Sequence, residues 1–151
     1  MTIQKIVTGG QTGVDRAALD VCLELSIPCG GWSPKGRLAE DGRISDRYPL
    51  RETPSQVFAQ RTEWNVRDSD GSLVLHRGKP AGGTAKTVEF AIKQRRPYLC
   101  IDLTQALDLN QIRSWLLSRR VSVLNIAGPR ESEEPGIYAQ ARELLTRLLE
   151  T

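Results

Sequence analysis

Residues 3–25 read IQKIVTGGQTGVDRAALDVCLEL: an apolar run, a glycine-rich turn, and a segment with helical periodicity. The run from Ile3 to Thr8 has the composition of a buried strand. After the turn, apolar side chains recur at the spacing of an amphipathic helix, at Val14, Ala17, Ala18, Val21, Cys22 and Leu25. This stretch therefore predicts a strand followed by a helix, the repeating unit of α/β proteins.

The same alternation continues along the chain. Short apolar runs predict four further strands, over residues 27–31, 72–76, 98–103 and 121–127. Periodic segments predict helices over residues 54–66, 82–94 and 109–119, and a last helix that begins at Pro135. Residues 32–53 are predicted as a long polar loop. We therefore predict an α/β fold: one Rossmann-like, doubly wound domain over residues 1–151, with a mostly parallel five-stranded sheet and helices on both faces.

The composition excludes several classes of protein. A chain of 151 residues can bury roughly 70% of its unfolded surface, which is enough for one core. No run approaches the roughly 18 consecutive apolar residues of a membrane span. The 21 basic and 18 acidic residues are mixed along the chain, which favours a small anionic ligand over a nucleic acid. Because the N-terminal residues do not resemble a secretory leader, we expect a cytoplasmic protein without a membrane partner.

The chain offers few residues that could hold a metal ion. Cys22, Cys29 and Cys100 form no C-x-x-C pair, and His76 is the only histidine. Four ligands at the spacing of a zinc site cannot be assembled from them. We therefore predict three buried thiols and no metal site.

Three glycine-bearing turns follow predicted strands, at residues 8–13, 78–87 and 127–132. Segments that follow parallel strands emerge at the carboxyl edge of the sheet, where open α/β folds bind their ligands. Glycine lets a ligand approach the backbone closely, and free amides at the start of a helix attract phosphate. The turns therefore predict an anion site at this edge. Neither a Walker-type loop nor a dinucleotide-binding fingerprint occurs, so a purely structural role for these turns stays open.

The helix that starts at residue 82 is the best phosphate cradle of the three. Its first turn carries hydroxyls and a lysine but no carboxylate, so the helix dipole is uncompensated. The first helix starts with the capping-box pattern Thr12-x-x-Asp15, which would occupy its own amides. We predict phosphate contacts from Gly82, Gly83, Thr84 and Thr87. The rest of the site is predicted to be lined by Gly9, Gly10, Gln11, Thr12, Gly13, Gly128 and Arg130.

Two other side chains are weaker candidates, each with an alternative. Trp32 follows Gly30-Gly31 and could either stack on a flat ring or seal the core. His76 closes a predicted strand and could either contact a ligand or have a structural role.

Several blocks of the sequence resemble one family. They are residues 9–20, 30–37, 39–42, 48–50, 61–66, 68–71, 82–84 and 127–132. These blocks resemble the molybdenum cofactor carrier family over nearly the whole chain. The resemblance implies a Rossmann-like homo-oligomer, a tetramer, that carries molybdenum cofactor or a related phosphorylated pterin or nucleotide. It also implies molybdoenzymes or cofactor-synthesis proteins as partners.

That family resembles a circular permutation of the lysine-decarboxylase-like, or Lonely Guy, proteins, which are nucleoside monophosphate phosphoribohydrolases. Residues 123–141 resemble the segment that opens a Lonely Guy chain, yet they stand at the end of this one. The resemblance carries over a catalytic pair, Arg61 and Glu89. The usual Pro-Gly-Gly-x-Gly-Thr block is replaced by residues 81–86, AGGTAK, and the expected lysine by Thr62. Binding without catalysis is therefore the leading hypothesis, with a phosphoribohydrolase or a nucleotide-sensing module as alternatives.

Overall fold

The computed structural model describes residues 3–150 and confirms the predicted alternation of strands and helices. In chain order the elements are β1 (Lys5–Val7), α1 (Val14–Leu25), β2 (Cys29–Gly30), β3 (Trp32–Ser33), β4 (Leu38–Ala39), β5 (Gly42–Arg43), β6 (Arg51–Glu52), α2 (Phe58–Arg67), β7 (Gly71–His76), α3 (Gly82–Lys93), β8 (Tyr98–Asp102), α4 (Leu109–Ser118), β9 (Val123–Ala127) and α5 (Ile137–Leu149).

The five strands of the central sheet run parallel, in the order β2-β1-β9-β7-β8. The last strand of the chain thus lies in the middle of the sheet. On β9, Asn125 stands opposite Val7 of β1 on one side and Ser72 of β7 on the other. The carboxyl ends of these three strands are therefore neighbours, and the turns that follow them meet at one edge.

Helices cover both faces of the sheet. On one face α1, α4 and α5 share a hydrophobic core with alternate strand residues, among them Ile6, Leu73, Leu75, Leu124 and Ile126. On the other face α2 packs on α3, and α3 packs on β7. The predicted α/β class and Rossmann-like architecture are confirmed.

The prediction of a long polar loop over residues 32–53 missed four short strands. The segment forms two small two-stranded sheets, a parallel one from β3 and β6 and an antiparallel one from β4 and β5. The buried Arg37 guanidinium organises it by donating hydrogen bonds to the carbonyl oxygens of Ile44, Ser45, Tyr48 and Leu50. The apolar side chains of this segment pack on Leu19 of α1 as a second core.

Two helix starts differ from the prediction. The helix α2 begins at Phe58 rather than Pro54, because the Ser55 hydroxyl accepts a hydrogen bond from the Val57 amide and holds a turn before the helix. The helix α5 begins at Ile137 rather than Pro135, because Gly136 has a φ of 89°, which is not helical. Each change shortens a helix without moving its apolar face.

All three cysteines are free thiols, but only Cys22 is buried, whereas Cys29 and Cys100 are half-buried. The prediction of three buried thiols is therefore too strict, because Cys29 lies on a strand at the edge of the sheet. Among residues 3–150 no helix combines the length and the apolar character that a bilayer crossing requires.

Candidate functional site

A cleft of about 360 Å³ opens at the carboxyl edge of the sheet. The end of β9, from Asn125 to Gly128, forms its floor, and the first turns of α2 and α3 form its walls. The turn after β1 and the turn after β9 complete the rim. The cleft therefore stands where the three glycine turns were predicted to meet.

Most of the predicted ligand-binding residues line this cleft. They are Gly9, Gln11, Gly82, Gly83, Thr84, Thr87, Gly128 and Arg130. The structure thus brings together residues from three turns that lie far apart in the sequence.

Gly10, Thr12 and Gly13 do not line the cleft. A methyl group on Gly10 would lie 2.5 Å from Cδ1 of Leu50, and one on Gly13 would lie 2.3 Å from the Pro129 carbonyl oxygen. Both glycines have a positive φ, 80° and 78°, which a residue with a side chain rarely adopts. Their role in this structure is to let the turn after β1 pack against the protein.

Several backbone amides at the start of α1 already donate hydrogen bonds within the protein. The Gln11 amide donates to Asp15 Oδ2 at 3.3 Å, and the Thr12 amide donates to Gln11 Oε1 at 3.0 Å. The Val14 amide donates to the Pro129 carbonyl oxygen. The predicted capping box does not form, because Gly13 is the N-cap of α1 and Asp15 binds the amide of Gln11 instead of that of Thr12. The amides of Gln11, Thr12 and Val14 are therefore not available to a ligand.

The turn after β9 is occupied as well. Its Glu131 amide donates to the Thr12 hydroxyl at 3.1 Å, and its Ser132 amide donates to Glu40 Oε2 at 3.2 Å. Glu40 also accepts hydrogen bonds from the Ser132 and Thr12 hydroxyls, which lower the pKa of its carboxyl. Glu40 thereby ties the segment between β4 and β5 to this rim of the cleft.

The start of α3 keeps its donors free. The amides of Gly82 and Gly83 find no acceptor among residues 3–150, and the first turn contains no acidic residue. Thr84 is only 5% exposed, yet its hydroxyl makes no hydrogen bond within the same part of the chain. The Thr87 hydroxyl, by contrast, donates to the Gly83 carbonyl oxygen at 3.3 Å. Free amides and one unpaired hydroxyl at a helix start form a cradle of donors that can bind an anion.

Charged side chains surround that cradle. Arg130 Nε lies 3.1 Å from Glu133 Oε1 and 3.8 Å from Glu40 Oε1. Lys86 also lines the cleft, and its Nζ lies 3.3 Å from Oε2 of Glu89, which does not. Glu133 also lines the cleft, so the chain places both signs of charge at its mouth.

The deepest charges of the cleft are an ion pair that the sequence did not predict. Arg61 Nη1 lies 3.0 Å from Asp15 Oδ2, and the two side chains are 12% and 7% exposed. Burial raises the pKa of Asp15 above its usual value, although Arg61 and the Gln11 amide oppose the shift. Asp15 stood out in the sequence only as a helix cap, and its partner is far away in the chain.

Asn125 and Phe58 also line the cleft and were not predicted. Asn125 is buried, and its Nδ2 donates to the Ser72 hydroxyl at 3.0 Å. Its Oδ1 accepts no hydrogen bond from the described residues. The signal that could have found Asn125 is an amide in the middle of an apolar strand, since such a group needs a polar partner.

The structure does not bring the proposed catalytic pair together. Arg61 lines the cleft, but the side chain of Glu89 is 64% exposed and does not. The residues of α3 that face inward are Thr84, Thr87 and Ala91, which places Glu89 on the outer face of the helix. Asp15 is the carboxylate that Arg61 meets instead.

The two weaker candidates lie outside this cleft. The Trp32 indole donates to Asp68 Oδ2 at 2.8 Å, and its ring packs edge-on against Trp64. His76 is buried at the end of β7. Within residues 3–150, no three His, Cys, Asp or Glu side chains come close enough together to hold a metal ion.

Comparison with known proteins gives one family and one closely similar structure. Residues 6–149 match the model of the circularly permutated YpsA SLOG family. The chain is also 47% identical to a crystal structure named "putative molybdenum carrier protein", from Syntrophus aciditrophicus SB. That superposition covers 99% of this chain and 96% of the other, with a TM-score of 0.97. No curated protein matches the chain.

These matches confirm the family resemblance seen in the sequence blocks. The family model covers almost every element of the fold, from β1 to α5. The matched structure shares the name of the carrier family that the blocks resemble. The chain therefore belongs to the circularly permutated YpsA SLOG family.

Proposed function

We propose that the protein carries a phosphorylated pterin, molybdenum cofactor, in the cleft and does not transform it. The observation that carries this proposal is that the start of α3 offers two free backbone amides to the cleft and has no acidic residue in its first turn. The similarity to a structure named as a molybdenum carrier supports the choice of ligand.

The phosphate would lie at the start of α3. The Gly82 and Gly83 amides and the Thr84 hydroxyl would donate to its oxygens, and the positive end of the helix dipole favours its charge. Arg130, on the opposite rim, can supply a charge-assisted hydrogen bond. Hydroxyl, amide and guanidinium donors together match the three acceptor oxygens of a phosphate monoester.

The ring would extend along the floor toward α2. The cleft volume of about 360 Å³ falls within the range of small-molecule sites. Phe58 offers an aromatic face at the wall, and Asn125 Oδ1 offers an acceptor on the floor. A molybdenum cofactor holds its metal through its own dithiolene group, so the protein needs phosphate and ring contacts rather than metal ligands.

Assembly and delivery belong to the same proposal. Val57, Ile92 and Leu117 are large apolar side chains that are 59–62% exposed and so available for contacts with other chains. We propose that copies of the chain associate into a homo-oligomer, a tetramer, which exchanges its ligand with molybdoenzymes or cofactor-synthesis proteins in the cytoplasm.

The ligand class is tested by mass spectrometry of the molecule that co-purifies with the protein. We expect a pterin phosphate, which should also raise the melting temperature because it binds only the folded state. An ordinary nucleotide in its place, without affinity for pterins, would favour the nucleotide-sensing alternative.

The substitution Gly83→Asp tests the phosphate contact. A side chain at this position meets open space, and its φ is not positive, so the aspartate fits without strain. Its carboxylate would occupy the cradle, and we expect the affinity for 6-hydroxymethylpterin monophosphate to fall by about tenfold or more. Pterin fluorescence measures the affinity.

Gly83→Asn is the matched control, because it has nearly the same shape without the charge. We expect it to change the affinity by less than about threefold. Equal binding by the wild-type protein and Gly83→Asp would place the phosphate elsewhere and contradict the proposal.

A nucleoside monophosphate phosphoribohydrolase is the second candidate, favoured by the presence of Arg61 in the cleft. An arginine can hold a phosphate or orient a carboxylate, and Asp15 is the carboxylate in reach. Incubation with AMP and cytokinin nucleotides, followed by a ribose 5-phosphate assay, distinguishes the two functions. We expect no release of ribose 5-phosphate. Release that Arg61→Ala abolishes would contradict binding without catalysis.

A further inference from the structure

Glu133 stands at the mouth of the cleft, against the start of α3. A methyl group placed on Gly82 would lie 3.4 Å from Glu133 Oε2. The other carboxylate oxygen, Oε1, lies 3.1 Å from Arg130 Nε. A carboxylate of the chain itself thus lies between the positive end of a helix and the guanidinium on the opposite rim.

These are the charges that an incoming phosphate would use. The first turn of α3 has no acidic residue of its own, so Glu133 is the carboxylate that its dipole meets. The hydroxyl of Thr84, a side chain that is 95% buried, lines the same cleft without a hydrogen-bond partner in residues 3–150. The Glu133 carboxylate binds neither the Gly82 amide nor the Gly83 amide, and the Thr84 hydroxyl is also unused. These free donors indicate a site for an anion larger than a carboxylate.

We propose that Glu133 is an internal competitor for the anion site and must leave Arg130 and the start of α3 before a ligand phosphate binds there. This inference rests on the proposed phosphate position. Displacing Glu133 costs the same free energy for every ligand, so it lowers the affinity for every anion by the same factor. Small anions such as inorganic phosphate then bind too weakly to fill the cleft, whereas a phosphate attached to a ring gains further contacts.

The expected factor follows from the interactions that Glu133 gives up. A partly exposed ion pair and a carboxylate near a helix start are each weak interactions in water. Together they correspond to a change in affinity of about three- to tenfold.

The substitution Glu133→Gln tests the inference, with 6-hydroxymethylpterin monophosphate and inorganic phosphate as probes. We expect both probes to bind about three- to tenfold more tightly than to the wild-type protein, and by the same factor. Fluorescence titration measures the pterin, and competition against it measures the phosphate. Without ligand, the variant should melt at a lower temperature, because the start of α3 loses its carboxylate.

Glu134→Gln is the matched control. It removes the same charge from the next residue, which pairs with Arg77 at 3.6 Å and does not line the cleft. We expect its affinities to equal those of the wild-type protein. If it tightened binding as much as Glu133→Gln, net charge would explain the effect and the inference would fail.

The remaining outcomes are also decisive. Unchanged or weaker pterin binding by Glu133→Gln, with normal binding by the wild-type protein, would overturn the role of Glu133 and leave the proposed function intact. If Glu133→Gln raised the affinity for the pterin but not for inorganic phosphate, displacement of the Glu133 carboxylate would not be the cause. Absence of binding to both the wild-type protein and the variant would overturn the phosphate site and this inference together.

Discussion

Arg61 reaches Asp15 by crossing Gly9. A methyl group on Gly9 would lie 1.7 Å from Arg61 Nη1, so the absence of a side chain there makes room for the guanidinium. The attraction between the two charges opposes the cost of removing the carboxylate from water, but the burial of Asp15 outweighs it and raises the pKa. Gly9, which was predicted to let a ligand approach the backbone, therefore also makes room for the side chain of Arg61.

The raised pKa of Asp15 predicts how stability depends on pH. Because the pKa is higher in the folded protein than the usual 3.8, the folded state binds more protons between the two values. The stability due to Asp15 is thus complete below 3.8 and is lost as the pH rises through the folded pKa. Asparagine at position 15 cannot ionise, so the Asp15→Asn variant does not lose stability in this way.

Urea unfolding of both proteins over a range of pH measures the effect. We expect the free energy of unfolding of the wild-type protein, relative to Asp15→Asn, to fall with rising pH by at most about 1.4 kcal/mol per pH unit. A relative increase with pH would show that the ion pair with Arg61 dominates over burial.

At the scale of elements, the segment between β2 and α2 depends on Arg37. The apolar runs and periodic segments predicted the five sheet strands and all five helices described in residues 3–150, because each element shows its hydrophobic pattern within a short stretch of sequence. They did not predict β3 to β6, because a buried arginine organises that segment and arginine in a loop is usually solvated. Its four carbonyl partners could be identified only from the folded chain.

Arg37→Lys tests this role. An ammonium group lacks the planar fork that reaches several carbonyl oxygens at once, so we expect the free energy of unfolding to fall by about 2 to 3 kcal/mol. Hydrogen exchange at the Ile44 amide, which donates to the Arg37 carbonyl oxygen, should become faster. Arg43→Lys, at an exposed arginine in the same segment, is the control. Equal stability of both variants would contradict the role of Arg37.

At the scale of the whole molecule, the strand order decides which turns meet. The placement of β9 between β1 and β7 brings the turns after all three strands to one edge. The glycine turns were predictable from local sequence, and so was the absence of acidic residues from the first turn of α3. The Asp15–Arg61 pair was not predictable, since its partners are 46 residues apart and meet only in the folded chain. Glu89 was misplaced because the resemblance supplied it, whereas Thr84, Thr87 and Ala91 are the residues that α3 turns inward.

The most direct test of the account is a backbone amide NMR titration with 6-hydroxymethylpterin monophosphate. We expect the largest shift changes at Gly82 and Gly83, whose amides find no acceptor among residues 3–150, and at Thr84, whose hydroxyl would bind the phosphate. Largest changes at Gln11 to Gly13, or around Trp32 in the smaller neighbouring cleft, would contradict it, as would the absence of any change at the start of α3.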